Sequence, residues 1–317
     1  MSWSSRERPF LSVCIPVYNG EAYIRQAVET ALDQDYPDFE VCVSENCSSD
    51  ETAVILRGID NERLSVDYHS SHVPLAANLN RAARMGQSEY LLVMSADDQL
   101  PPGALEAFGR AVEAHPGADG FIGRASYIVE AGGRPLARAI YSHDPGPIDD
   151  LESFVVGNSF PVNINAMLLK REVAEFREDC GVVCDLDLLI RMALDDREVV
   201  LLDETVVEYR EHPGATSANR VKMWRESLQV YRDYLPKTTR PELFRRRIFR
   251  LLFWCSAFLG QEGRVEEARE MVDSCRSDLG TAWWSLLRGS MILPITLPVL
   301  DRLRHFKGRL SGADSGV

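Results

Sequence analysis

Residues 95–98 read Ser-Ala-Asp-Asp and follow the apolar run Tyr90–Met94 directly, so two adjacent carboxylates, Asp97 and Asp98, stand where a buried strand would end. Neighbouring negative charges repel each other and resist desolvation. A divalent cation, a helix N-terminus or water could compensate them. Two other apolar runs also end in polar residues: Phe10–Val17 gives way to Tyr18-Asn19-Gly20, and Phe39–Asn46 ends in Glu45-Asn46. Further along, Asp185 opens the helix-like stretch Cys184–Leu194, and Arg210 and His212 follow a strand-like one. Carboxylates, a guanidinium and an imidazole are the groups that bind cations, pair with phosphate and move protons.

These residues need a frame, and the pattern of the first half supplies one. Strand-like runs at Phe10–Val17, Phe39–Asn46, Leu64–Tyr68 and Tyr90–Met94 alternate with helix-like segments, which predicts an α/β sheet with helices packed on it. Ile24, Ala27, Val28, Ala31 and Leu32 recur at helical spacing, and Asn19 is placed to cap that helix. Thr52–Gly58 and Asn78–Met85 read as two more helices. Pro101-Pro102-Gly103 turns the chain after the paired carboxylates, and Asp98 could cap that turn. In sheets of this kind ligands sit beyond the carboxyl ends of the strands, so Tyr18-Asn19, Glu45-Asn46 and Asp97-Asp98 are expected on one shared rim. Residues 120–180 are mixed and loop-rich around Phe160-Pro161-Val162-Asn163. Val199–His212 reads as two short strands and a polar loop, and from about Val221 the pattern is helical and Arg-rich.

Composition bounds the rest. At 317 residues, with 45% hydrophobic and 26% charged, the chain can bury a large core and is not of the disordered class. The net charge of -13 is unevenly spread: residues 1–219 hold 17 Lys+Arg against 37 Asp+Glu, and residues 220–317 hold 18 against 11. An acidic body with a basic tail predicts a division at 219/220 and argues against nucleic acid as a partner of the body. Seven cysteines at spacings unlike zinc knuckles, behind a polar Met1–Pro9, point to a reducing, cytoplasmic setting. No Gly-x-Gly-x-x-Gly follows the first strand and no Walker lysine motif is present, which disfavours dinucleotide redox chemistry and P-loop chemistry. Trp283–Leu310 carries paired Trp, two prolines and a basic end. It is too interrupted for a transmembrane helix and suits either the face of an anionic membrane or a helical cap on the body.

Five stretches, Ile15–Glu21 (IPVYNGE), Val43–Thr52 (VSENCSSDET), Tyr90–Leu105, Asp185–Leu194 and Tyr209–Ser217 (YREHPGATS), resemble in order the motifs of family 2 glycosyltransferases. The resemblance implies the GT-A fold, a Rossmann-like mixed α/β sheet with helices on both faces, over residues 1–219, followed by a C-terminal α-helical region over 220–317. It also implies an inverting, Mg²⁺- or Mn²⁺-dependent transfer of sugar from a UDP- or dTDP-sugar to the hydroxyl of a glycan, lipid-linked or small-molecule acceptor in polysaccharide or glycoconjugate biosynthesis.

By motif position, Asp97 and His212 would hold the metal and Asp98 would support the site or meet a sugar hydroxyl. Pro16, Tyr18, Asn19, Glu21, Glu45 and Asn46 would line the nucleotide, with Tyr18 stacked on the base, Glu45 accepting its imide N–H and Ser95 hydrogen-bonding ribose or water. Arg210 would pair with phosphate or a site carboxylate, Asp185 would be the general base, and Asp187 a structural neighbour. Three positions depart from the family pattern: Ser95 replaces the first Asp of Asp-x-Asp, Glu45 replaces an Asp, and Cys184 replaces an acid before the base. They motivate a non-catalytic sugar-nucleotide-binding protein as the alternative. A sugar-phosphate nucleotidyltransferase would need a Gly-rich basic loop after the first strand, which "PVYNGEAYI" lacks.

Overall fold

The computed structural model describes residues 8–129, 136–138, 144–157 and 164–290. Phe160–Asn163 and the tail beyond residue 290 lie outside these. The chain divides into two compact units, Met1–Asn219 and Arg220–Val317.

In the first unit the order is β1 (Leu11–Val17), α1 (Ile24–Leu32), β2 (Phe39–Glu45), α2 (Thr52–Arg57), β3 (Leu64–Tyr68), α3 (Leu75–Met85), β4 (Tyr90–Val93), α4 (Ala104–Ala114), β5 (Gly120–Val129), β6 (Leu136–Arg138), β7 (Gly146–Pro147), β8 (Met167–Lys170), α5 (Cys184–Leu194) and β9 (Val199–Glu211). A short 3-10 turn, Ile164–Ala166, leads into β8. Among the described residues, nine strands form one mixed sheet in the order β3-β2-β1-β4-β8-β5-β9-β7, with β6 paired to β5. β1 pairs in parallel with β2 and β4, and β2 with β3. β4 and β5 run antiparallel to β8, while β5 and β9 are parallel. Chain order reverses at β1, which has β2 on one side and β4 on the other. The carboxyl ends of these strands therefore flank the crevice where such sheets take ligands.

β1 is apolar at nearly every position because both its faces are covered: Leu11, Val13, Cys14 and Ile15 are fully buried. Each such aliphatic side chain contributes roughly 1.5–3 kcal/mol through burial. Asn19 does not cap α1. It takes a left-handed φ of 51°, which asparagine tolerates, and its side chain accepts from the Ser49 N–H at 2.9 Å. Nor does Asp98 cap α4, which starts after Gly103 at φ 86°. The expected pair of strands at Val199–His212 is a single 13-residue strand, β9. Its polar middle looked like a break, but the register with β5 shifts there and the extra residues bulge outward. Asp203 pairs with Arg124 and Glu204 with Arg110 at 2.9 Å, so the acids that suggested an interruption decorate a continuous strand.

The second unit holds α6 (Arg220–Tyr234), α7 (Pro241–Gln261), α8 (Val265–Ser274) and α9 (Arg276–Ser290), the last interrupted at Gly280 with φ 74°. Phe244, Ile248, Leu252 and Leu259 form the buried stripe of α7. Arg247 is buried beside them and donates to the Tyr231 hydroxyl at 3.0 Å.

Candidate active site

At the end of β4 the two carboxylates divide their roles. Asp98 is fully buried. One of its oxygens accepts the Arg210 backbone N–H at 2.8 Å and the other the Asn165 side-chain amide. Burial, and secondarily the charge on Asp97, push its carboxyl well above the usual range. Asp97 stays at the surface, its side chain 29% exposed, with Oδ2 3.0 Å from Nε2 of His212. The repulsion is met by separating the pair, one inward and hydrogen-bonded and the other outward beside an imidazole. Asp98 is thus turned inward, with both of its oxygens hydrogen-bonded.

β9 delivers His212 and Arg210 to this corner. Gln99 and Glu208 exchange backbone bonds at 3.1 and 2.9 Å, tying the loop after β4 to β9. The Arg210 guanidinium lies 4.8 Å from the Tyr23 ring centroid, and donates to the Asp97 carbonyl at 2.9 Å and to Gln26 Oε1 at 3.0 Å. These contacts join the loop, β9 and α1. Tyr23 also packs on His212, ring centroids 4.9 Å apart.

Beyond β1 and β2, two loops interlock. Glu21 N–H donates to Asp50 and Glu51 N–H to Glu21, each at 3.0 Å. Asn19 N–H donates to Ser48, and Asn46 exchanges two 2.9 Å bonds with the Val73 backbone. Asn19, Glu21 and Asn46 therefore spend these groups holding the loops, and Pro16 is buried within β1. Two further groups stand on this rim. The Tyr18 ring is 48% exposed, tilted against His72 with centroids 4.3 Å apart. Glu45, 3% exposed, accepts the Ser48 N–H through Oε1 at 2.6 Å.

Asp185 is the second residue of α5, part-exposed, and its Oδ1 accepts the Leu186 N–H at 2.8 Å. Surrounding protein desolvates the carboxyl enough to raise it to about 6 against those backbone donors. A helix N-terminus by itself would lower it, and here burial outweighs that. Asp187, fully buried, is held by Arg177 at 3.3 Å and Arg191 at 3.0 Å. Cys184 is buried, and desolvation raises its thiol. The structure thus joins Ser95, Asp97, Asp98, Arg210 and His212 in one corner and Tyr18, Asn19, Glu21, Glu45 and Asn46 in interlocked loops, with Asp185 on a separate helix. Sequence reasoning missed Asn165, Tyr23, Gln26 and His72. No motif marks them; Asn165 shows only as a polar residue just before the apolar run of β8.

Asp97 and His212 are the residues that fit a divalent cation. Their Oδ2 and Nε2 are hydrogen-bonded to each other at 3.0 Å, and a carboxylate oxygen beside an imidazole nitrogen is a donor pair that such a cation would take in place of that bond. Among the described residues no group of three or more His, Cys, Asp or Glu stands close enough to hold an ion unaided.

Known proteins resemble the chain in sequence and in fold. The chain is 26% identical over 231 residues to "Putative teichuronic acid biosynthesis glycosyltransferase TuaG" of Bacillus subtilis, covering 71% of this chain and 88% of that one. Coverage is uneven, and the chain spans only 26% of another relative, an uncharacterized protein of Sinorhizobium fredii. The fold matches S. aureus TarS 1–349, solved in complex with UDP-GlcNAc, at TM-score 0.66 and 17% identity, over 85% of this chain and 80% of that one. It also matches the Pyrobaculum calidifontis mannosyltransferase PcManGT, solved with GDP-Man and Mn2+, at TM-score 0.61 and 16% identity, over 97% and 87%. The model of glycosyl transferase family 2 matches residues 12–176, just over half of the chain, and takes in the first three of its five motif stretches. The chain belongs to glycosyl transferase family 2 and is a glycosyltransferase.

Proposed function

We propose that the chain transfers a sugar, with inversion and with a divalent metal, from UDP-sugar or dTDP-sugar to an acceptor hydroxyl in polysaccharide or glycoconjugate synthesis. The observation that carries the reading is the Asp97–His212 pair at 3.0 Å, beside the strand-end rim and separate from Asp185. When bound, Mn²⁺ or Mg²⁺ would neutralise charge on the departing diphosphate. The imidazole donor favours Mn²⁺ of the two, and PcManGT was solved with that ion. Asp97 and His212 would hold it, with diphosphate and water completing its shell.

The chain's own groups account for the remainder. Tyr18 offers a half-exposed ring for the base. A carboxylate at position 45 accepts from the imide N–H of uracil or thymine and has nothing to accept from cytosine N3. Asp185 takes the proton of the acceptor hydroxyl, whose oxygen bonds to the anomeric carbon. The bond from that carbon to the phosphate oxygen breaks, and the nucleoside diphosphate leaves with its electron pair. Residues 1–219 would act as the catalytic domain and residues 220–317, helical where they are described, as an appended region. Among the described residues no helix is long and apolar enough to cross a membrane. We assign the protein to the cytoplasm, with residues 283–310 as either a helical cap or a peripheral contact to the inner face of an anionic membrane.

Thermal shift with UDP, dTDP, GDP and CDP, each with and without Mn²⁺, tests the donor reading, since a ligand raises the melting temperature by mass action. UDP or dTDP should stabilise the protein, and only with the metal. A preference for GDP, or indifference to EDTA, would overturn the donor or metal assignment respectively.

A further inference from the structure

Asn165 sits under the loop that presents Asp97. It is 2% exposed and bonds both ends of the Ser95–Asp98 segment. Its side-chain carbonyl accepts the Ser95 N–H at 2.9 Å and the Ser95 hydroxyl at 3.0 Å, and its amide nitrogen donates to Asp98. The other oxygen of Asp98 accepts the Arg210 N–H at 2.8 Å, and Arg210 also donates to the Asp97 carbonyl at 2.9 Å. Ser95, the Asp97 carbonyl and Asp98 are thus held by Asn165 and Arg210, and the Asp97 carboxylate lies beside His212. The amide has a fixed polarity: its acceptor serves Ser95 and its donor serves Asp98.

We propose that Asn165 is a positioning residue for Asp97, and that Ser95 and Asn165 are a matched pair in which an aspartate at 95 weakens the site. The proposal rests on the reading of Asp97 and His212 as the cation pair. A carboxylate at 95 would bring acceptor against acceptor at the Asn165 carbonyl. Turning the amide over would only move that conflict to Asp98, which needs the same nitrogen. Restoring a charge at 95 therefore distorts the loop that aims Asp97, and adds nothing to cation affinity.

The experiment is calorimetric titration of the full-length chain with Mn²⁺ plus UDP, and in parallel Mn²⁺ plus dTDP, alongside the melting temperature of the free protein. Ser95→Asp and Asn165→Ala should each weaken metal-dependent binding about tenfold, with melting of the free proteins moved by no more than a few degrees. Ser95→Thr keeps the hydroxyl that Asn165 accepts and should retain more of the metal-dependent binding than Ser95→Asp does. If wild type binds neither nucleotide, or binds one without metal, the functional reading fails and takes this inference with it. If wild type needs the metal but Ser95→Asp binds equally or more tightly, the pairing alone is overturned. An Asn165→Ala protein that melts lower yet keeps its metal-dependent affinity makes Asn165 merely structural. If Asn165→Ala does not fold, Ser95→Asp, altered at a part-exposed residue, decides.

Discussion

The corner at the end of β4 and the start of α5 both present an aspartate, and they treat it in opposite ways. Asp97 stands in a loop pinned by Arg210 and Asn165, with an imidazole 3.0 Å from its carboxylate. Asp185 has one backbone donor and enough protein around it to raise its carboxyl to about 6. A carboxylate that holds a cation must be ionised and fixed in direction. One that takes a proton from a hydroxyl gains basicity from losing its water. The same side chain suits either task, and the difference is made by neighbours.

Removing the charge from the pinned side tests the comparison hardest. Metal stabilisation of developing charge is worth several kcal/mol, so Asp97→Asn should lower transfer by about 10³-fold or more and abolish metal-dependent nucleotide binding. The protein should stay folded, because Asp97 lies at the rim while Asp98 supplies the buried bonds. Calorimetry with Mn²⁺ and nucleotide, beside an initial-rate assay, reads both outcomes. If Asp98→Asn rather than Asp97→Asn selectively removed metal binding from a folded protein, the division between the two residues would be reversed.

A smaller loss is expected on the desolvated side. A general base contributes about 10²–10⁴-fold, so Asp185→Asn should lose at least about a hundredfold in kcat at saturating acceptor while binding nucleotide and metal as wild type does. Wild-type kcat/KM should fall about tenfold per pH unit below about pH 6, as Asp185 takes up its proton, and that limb should vanish from the residual activity of the variant. An acidic limb that survives Asp185→Asn would belong to another group.

How much of this was legible in the sequence depends on the range of the interaction. Apolar runs with polar ends are local, so β1 to β4 and their shared rim could be read from composition and spacing. The outward and inward roles of Asp97 and Asp98 could not, because they depend on Arg210 and Asn165, more than 60 positions away in the chain. The continuity of β9 was hidden for a similar reason: Asp203 and Glu204 break the hydropathy pattern, and only the register with β5 shows that they bulge. Arg210 could be read from its motif, whereas its bonds to Asp98, the Asp97 carbonyl and Gln26 could not, since those partners lie far off in the chain. Asp185 was placed correctly at its helix start, while the balance between helix and burial needed the packed structure to decide it.

That balance also predicts a stability effect opposite in sign to the activity loss. Asp185 has a folded-state pKa of about 6 against an ordinary 3.8, so between those values the folded protein holds a proton that the unfolded chain has released. Stability from this group is therefore greatest below about pH 4, falls as pH rises through 6, and stays lower above it. The shift corresponds to at most about 3 kcal/mol, and partial exposure of the residue lets solvent screen it to about 1 kcal/mol. Asp185→Asn keeps the acceptor for the Leu186 N–H and removes the charge, so at pH 7.5 it should melt about 2–4 °C above wild type, with the gain disappearing near pH 4. Asp187 provides the contrast two residues on, because its buried charge is paired with Arg177 and Arg191, and Asp187→Asn should melt lower. Equal melting of Asp185→Asn and wild type across this pH range would mean that the carboxylate is solvated, and its claim to raised basicity would go with it.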